Sequence, residues 1–204
     1  MTDKPIVHVV DDDPAVRDSL TLLLEQEGID VRTYASAEAF LQAEHEQGRA
    51  CAIVDVRMPG LDGLQLQAEL GRRCSGLPLI FLTGHGDIPM SVRAIKAGAI
   101  DFLTKPVTGD ALLQSVHTAL QESRKAGIEA EANHEANARL ATLTEREREV
   151  MALAVRGLPN KEIARSLGIS HRTVEIHKAR IMSKTGAETL VDLVRIAGAS
   201  IMAS

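Results

Sequence analysis

The stretch PIVHVVDDDPAVRDSLTLLLEQEG, residues 5–28, decides the fold. A short run, apolar except for His8, extends from Ile6 to Val10 and stops at Asp11, Asp12 and Asp13. Such a run marks a strand buried on both faces. Pro14 suits the first position of a helix, and Asp13 before it suits the cap that satisfies free amides. A segment of helical period then leads to Gly28, placed where a helix should stop.

The same unit occurs five times between residue 5 and about residue 122. The apolar runs are Ile6 to Val10, Ile29 to Tyr34, Ala50 to Val54, Leu77 to Leu82 and Ile100 to Leu103. Asp13, Ser36, Asp87 and Thr108 signal helix starts; Gly28, Gly48 and Gly98 signal helix ends. Strands alternating with helices predict an α/β doubly wound, flavodoxin-like domain built on a five-stranded parallel sheet with helices on both faces. Its functional side chains should gather beyond the carboxyl ends of the strands.

A chain of 204 residues, 45% apolar, can fill two small cores. The predicted division is a first domain over 1–122, a helical linker rich in Ala and Glu over 123–141, and a second domain over 142–204. From Leu143 to about Ala199 the pattern is purely helical, broken at Gly157, Gly168 and Gly186, which predicts an all-α four-helix domain. The net charge of −5 conceals an asymmetry. Residues 1–138 hold 12 Lys and Arg against 21 Asp and Glu, net −9, whereas residues 139–204 hold 11 against 7, net +4. A compact basic module attracts phosphate backbones, which an acidic one repels.

No apolar run approaches the ~20 residues that span a bilayer. The start, Met1 to Pro5, lacks the apolar stretch of a secretory signal, so the expected location is cytoplasmic, with no membrane partner. Cys51 and Cys74 follow no metal spacing and are read as packing or surface thiols.

The chemistry of the first domain sits at its strand ends. Asp11, Asp12 and Asp13 follow the first strand, Asp55 ends the third, Thr83 ends the fourth, and Lys105-Pro106 follows the fifth. Clustered carboxylates need a cation among them, and hard oxygen ligands suit Mg²⁺. A metal and an ammonium beside a carboxylate can together stabilise phosphoryl transfer to it. Asp13, before Pro14, is better read as a helix cap than as a ligand.

Residues 5–122 resemble the receiver domain of bacterial two-component systems. The resemblance is carried by VVDDDP (9–14), VDVRMPG (54–60), FLTGHGD (81–87), AGAIDFL (97–103) and TKP (104–106). It implies that Asp55 is the phosphoacceptor and that Asp11, Asp12, Asp55 and the backbone carbonyl of Arg57 hold Mg²⁺. It implies further that Thr83 and Lys105 contact the phosphoryl group, while the ring of Phe102 turns inward as Thr83 moves. The segment GHGDIPM (84–90) narrows the likeness to the FixJ type; His85 is read either as a surface loop histidine or as tuning dephosphorylation from near where a water could attack an acyl phosphate.

In the second domain, Thr144-x-x-Glu147 reads as a capping box. A helix should open near Asn160 and end at Gly168, and Ser170 should cap another that runs to about Thr185. Two helices joined by a tight turn, the second basic, form the motif that enters a major groove. Helical period turns Val174, Ile181 and Thr185 inward and Arg172, Glu175, Ile176, Ala179 and Arg180 outward; His177 sits on the inner side. The pieces LTEREREV (143–150), GLPNKEIA (157–164) and LGISHRTVEIHK (167–178) resemble the LuxR-type DNA-binding domain. That likeness implies phosphate contacts from Asn160, Lys161 and Thr173, with Glu175, Ile176 and Lys178 nearest the bases; the outward Arg172 and Arg180 join the DNA-binding set. Glu175 departs from relatives that are basic at this position. A carboxylate there must accept from a cytosine amino group or hold an arginine in place.

The expected protein is thus a response regulator, phosphorylated on Asp55 by a sensor histidine kinase, that dimerises and binds promoter DNA to regulate transcription. It is not expected to be an enzyme. One alternative is an Mg-dependent aspartyl-phosphate phosphotransfer enzyme, but such enzymes carry the nucleophile after the first strand in an Asp-x-Asp arrangement, whereas Asp55 ends the third. The other is a phosphorylation-independent DNA-binding protein with a decayed receiver, but every pocket residue is present.

Overall fold

In a computed structural model the chain folds as two compact units, Met1–Gly127 and Ile128–Ser204. The structure describes residues 4–43, 49–84 and 88–201, the side chains of residues 198–201 excepted. The expected signals at Gly48, His85 and Asp87 lie outside the described residues.

The first unit is a parallel sheet of β1 (Ile6–Val10), β2 (Asp30–Tyr34), β3 (Ala50–Val54), β4 (Leu79–Thr83) and β5 (Asp101–Thr104), in the order β2-β1-β3-β4-β5. Alternate residues of each strand face opposite layers. Val7, Val9, Ile53 and Leu82 pack with Leu24 of α1 (Pro14–Gln26) and with Leu112 and Val116 of α5 (Gly109–Ala141). Val10, Ala52, Val54 and Phe81 pack instead with α2 (Ala37–Gln42), α3 (Gly63–Arg72) and α4 (Ile88–Lys96) through Phe40, Leu66 and Ala94. Because the strand order turns outward on either side of β1 and β3, the loops after these two strands open a crevice between them.

Local chemistry starts the helices as the sequence suggests. The Asp13 carboxylate accepts from the Ala15 amide at 2.9 Å with Pro14 following, and Ser36 accepts from Ala39. A capping box between Asp62 and Gln65 opens α3, a start absent from the sequence reading. The stretch read as a helical linker lies within α5, which runs unbroken from Gly109 to Ala141, through Gly127.

The second unit packs α6 (Glu145–Val155), α7 (Asn160–Leu167), α8 (His171–Thr185) and α9 (Leu190–Ile201) around Val150, Ile163, Val174 and Ile181. The Thr144–Glu147 capping box forms, and Ser170 caps α8. Gly168 and Gly186 end α7 and α8 at φ 65° and 71°, the left-handed region where a side chain would be strained. The turn between α7 and α8 is short because Gly168 ends the one helix and Ser170 caps the other.

Candidate functional site

Asp11 and Asp55 stand at the ends of neighbouring strands; Val10 pairs with Val54 in register, and the Asp55 amide donates to the Val10 carbonyl at 2.8 Å. This pairing draws the two carboxylates together. Asp11 is buried, Asp12 exposed and Asp55 half-buried, and one oxygen of each lies within 4.8 Å of the others. Three hard oxygen donors so close can hold a divalent metal, and their mutual repulsion favours one.

Lys105 reaches this cluster from the loop after β5. Its Nζ donates to Asp11 Oδ2 at 2.7 Å and to Asp55 Oδ2 at 3.1 Å. Burial pulls the Lys105 ammonium down, but hydrogen bonds and charge from Asp11 and Asp55 outweigh it, so its pKa lies above the usual lysine value. The lysine therefore remains cationic across the physiological range. Its backbone is held as well, the Lys105 amide donating to the Thr83 carbonyl at 2.8 Å.

Backbone amides fix the other carboxylate oxygens. The Asp13 amide donates to Asp11 Oδ1 at 2.9 Å, and the Arg57 amide to Asp55 Oδ1 at 3.1 Å. Each carboxylate thus has one oxygen held by backbone and the other by Lys105. Thr83 closes β4, buried at 1% exposure. Phe102, half-buried on the neighbouring strand, lies against Phe81 with ring centroids 5.9 Å apart.

Two contributors escape the sequence reading. A Cβ on Gly63 would lie 2.4 Å from the Asp55 carbonyl oxygen, so only glycine lets α3 start this close to the strand end. Arg17 of α1 donates to the backbone carbonyls of both Asp11 and Asp12. Neither shows in sequence, because each depends on a contact between separate elements.

In the second unit Val174, Ile181 and Thr185 are fully buried on α8, whereas Arg172, Glu175, Ile176, Ala179 and Arg180 are exposed. This division matches the helical period. Lys161 is exposed on the first turn of α7, and Thr173 is half-buried with its hydroxyl 2.8 Å from that of Ser170. Lys178 turns toward α7, where its Nζ donates to Asn160 Oδ1 at 3.0 Å. Glu175 has His171 Nδ1 at 3.5 Å, one turn back. His177 is half-buried, as its inner position suggests. Of the cysteines, Cys74 is exposed, while Cys51 is buried, which pushes its thiol up to about 12.

Comparison with known proteins identifies both units. A family model described as the response regulator receiver domain matches residues 7–117, and one described as bacterial regulatory proteins, luxR family, matches residues 141–197. The transcriptional regulatory protein FixJ of Azorhizobium caulinodans is 48% identical over 191 residues, covering 94% of this chain and 90% of that protein. FixJ of Bradyrhizobium diazoefficiens is 43% identical over 197 residues, covering 97% and 96%. Among solved structures, the response regulator StyR gives a TM-score of 0.82 at 42% identity, covering 96% of this chain and 98% of StyR. Full-length FixJ from B. japonicum gives 0.58 at 42% identity, covering 97% of each.

The likeness overturns one expectation. A receiver accepts a phosphoryl group within a phosphorelay, which is a catalytic function, so the chain is not simply non-enzymatic. The likeness to FixJ-type regulators supports a histidine kinase partner and DNA binding. No described helix is long and apolar enough to cross a membrane. With a receiver over its first half, a LuxR-type helix-turn-helix over its last third and FixJ-like identity along nearly its whole length, the chain belongs to the FixJ-type two-component response regulators.

Proposed function

We propose that Asp55 accepts the phosphoryl group and that the phosphorylated protein dimerises to bind promoter DNA. The observation that carries this reading is the Lys105 bridge between Asp11 and Asp55, at 2.7 and 3.1 Å. It joins a nucleophilic carboxylate, a second carboxylate and a fixed positive charge in one pocket. Asp11, Asp12, Asp55 and the backbone carbonyl of Arg57 would hold Mg²⁺, and the all-oxygen donor set fits this ion. When bound, the ion neutralises charge on the transferring phosphoryl oxygens.

An Asp55 carboxylate oxygen attacks phosphorus as the bond from phosphorus to the kinase's histidine nitrogen breaks. The departing imidazole keeps the electron pair. Lys105, held cationic, receives the phosphoryl charge in its place beside Asp55, and Thr83 donates its hydroxyl to a phosphoryl oxygen. Phe102 follows Thr83 inward and reshapes the α4–β5 face.

That face is the dimer surface in this reading. Ile88, Val92 and Ile95 form a helical stripe on α4 exposed at 80%, 44% and 46%, an apolar patch of the kind that a partner covers. Two copies bring two α8 helices to two half-sites, which raises affinity without any new base contact. Asn160, Lys161 and Thr173 take phosphates, Glu175, Ile176 and Lys178 lie nearest the base edges, and Arg172 and Arg180 complete the face. The working divisions are a receiver over 1–122, a helical linker over 123–141 and a DNA-binding domain over 142–204. A DNA target puts the protein in the cytoplasm. Sedimentation with and without acetyl phosphate tests the switch: the phosphorylated protein should sediment as a dimer. A fully phosphorylated protein that stays monomeric on its operator would rule the dimer out.

A further inference from the structure

The turn between β1 and α1 must aim two carboxylates at once. Asp11 is anchored by burial, but Asp12 is exposed, so packing alone does not fix the direction of its side chain. Besides the Asp13 amide on the Asp11 carboxylate, Arg17 holds the turn. Its Nη1 donates to the carbonyl oxygen of Asp11 at 2.6 Å and to that of Asp12 at 3.0 Å. The Arg17 amide in turn donates to the Asp13 carbonyl at 3.2 Å, so one residue of α1 engages the backbone of all three aspartates. Hydrogen bonds from a guanidinium are charge-assisted and stronger than those between neutral groups.

We propose that Arg17 is a positioning residue for phosphoryl transfer, setting the backbone that presents Asp11 and Asp12 to the metal. The proposal rests on the reading of Asp11, Asp12 and Asp55 as the metal pocket, and it goes further by assigning the pocket's geometry to a residue that is not a ligand. Arg17 is also a positive charge close to a cation site. Taken alone, that charge repels the ion, so removing it would tighten metal binding. Removing a group that holds the ligands' backbone does the opposite, and groups that orient metal ligands commonly contribute 10- to 100-fold in affinity. The two effects have opposite signs, and the larger one is expected to be positioning.

The test is Mg²⁺ titration by calorimetry on the full chain, with melting in the absence of Mg²⁺ as the check on folding. Arg17→Met should bind Mg²⁺ about 10-fold more weakly than the unsubstituted protein. Arg17→Lys, which keeps the charge and one donating group, should fall between the two. Arg17→Met binding Mg²⁺ as tightly as the parent, or more tightly, would overturn the proposal. If Arg17→Met does not fold, Arg17→Lys decides: weaker binding with normal melting supports positioning, and parental affinity overturns it. Asp12→Ala distinguishes failure of the underlying pocket. If it leaves Mg²⁺ affinity unchanged, the pocket assignment fails; if it weakens binding while Arg17→Met does not, only the role of Arg17 fails.

Discussion

Lys184, near the end of α8, reaches the Glu147 carboxylate on the first turn of α6 and donates to Oε2 at 2.6 Å. The same oxygen accepts from the Thr144 amide at 2.9 Å, so the residue that completes the capping box also ties α8 to the start of the domain. Glu147 is 3% exposed at its side chain, a buried charge matched by a cation.

This pair makes the DNA-binding domain sensitive to acid. The Lys184 hydrogen bond, then the Thr144 amide, lower the Glu147 pKa from an ordinary 4.5 to about 2. Between those values the unfolded chain binds the proton more readily than the folded one. The contribution is therefore complete above pH 4.5 and is lost as pH falls toward about 2. Calorimetric melting of the full chain should show Glu147→Gln melting below the parent at neutral pH, with the gap closing on acidification. A gap that is constant with pH would remove Glu147 as the acid-sensitive group.

Gly63→Ala should harm both fold and chemistry. The new Cβ would meet the Asp55 carbonyl oxygen at 2.4 Å and the Val56 Cα at 3.0 Å, two backbone atoms with little freedom to retreat. Overpacking of this kind costs about 1–3 kcal/mol. Urea denaturation should show a loss of that order, and acetyl phosphate should label the variant more slowly than the parent. Parental stability and labelling would mean that α3 shifts freely.

Asn160 and Lys178 should behave as one unit in DNA binding, because the 3.0 Å hydrogen bond between them fixes where the lysine charge sits. In a double-mutant cycle of Asn160→Ala and Lys178→Met read by fluorescence anisotropy, the coupling should be about 0.5–3 kcal/mol. Strictly additive losses would separate the two residues. Exposed Lys161 is a contrast: Lys161→Ala should weaken binding to operator and random DNA alike and reduce the salt slope by about one.

Much of this was legible in the sequence because burial imposes a visible pattern. β1 and β3 end where they were expected to end, since an apolar run meets Asp11 or Asp55. β4 begins at Leu79, two residues after the apolar run starts at Leu77, because Pro78 has no amide for the ladder and only its carbonyl pairs, with Ala52. Composition predicted a helical linker, but not that α5 continues through Gly127, where the cost of glycine in a helix, about 1 kcal/mol, is spread over a helix of 33 residues. The strand-end rule gathered Asp11, Asp12, Asp55 and Lys105 in advance. Arg17, Gly63 and the Glu147–Lys184 pair were not legible, because their roles arise from contacts across the fold that no local spacing encodes.

In this reading Asp55 carries the phosphoryl group, which intact-mass analysis after incubation with acetyl phosphate and Mg²⁺ puts to the test. The parent protein should gain a single acid-labile phosphoryl group, and Asp55→Asn should gain none while keeping the parental circular dichroism. Stoichiometric acid-labile phosphate on folded Asp55→Asn would contradict the assignment.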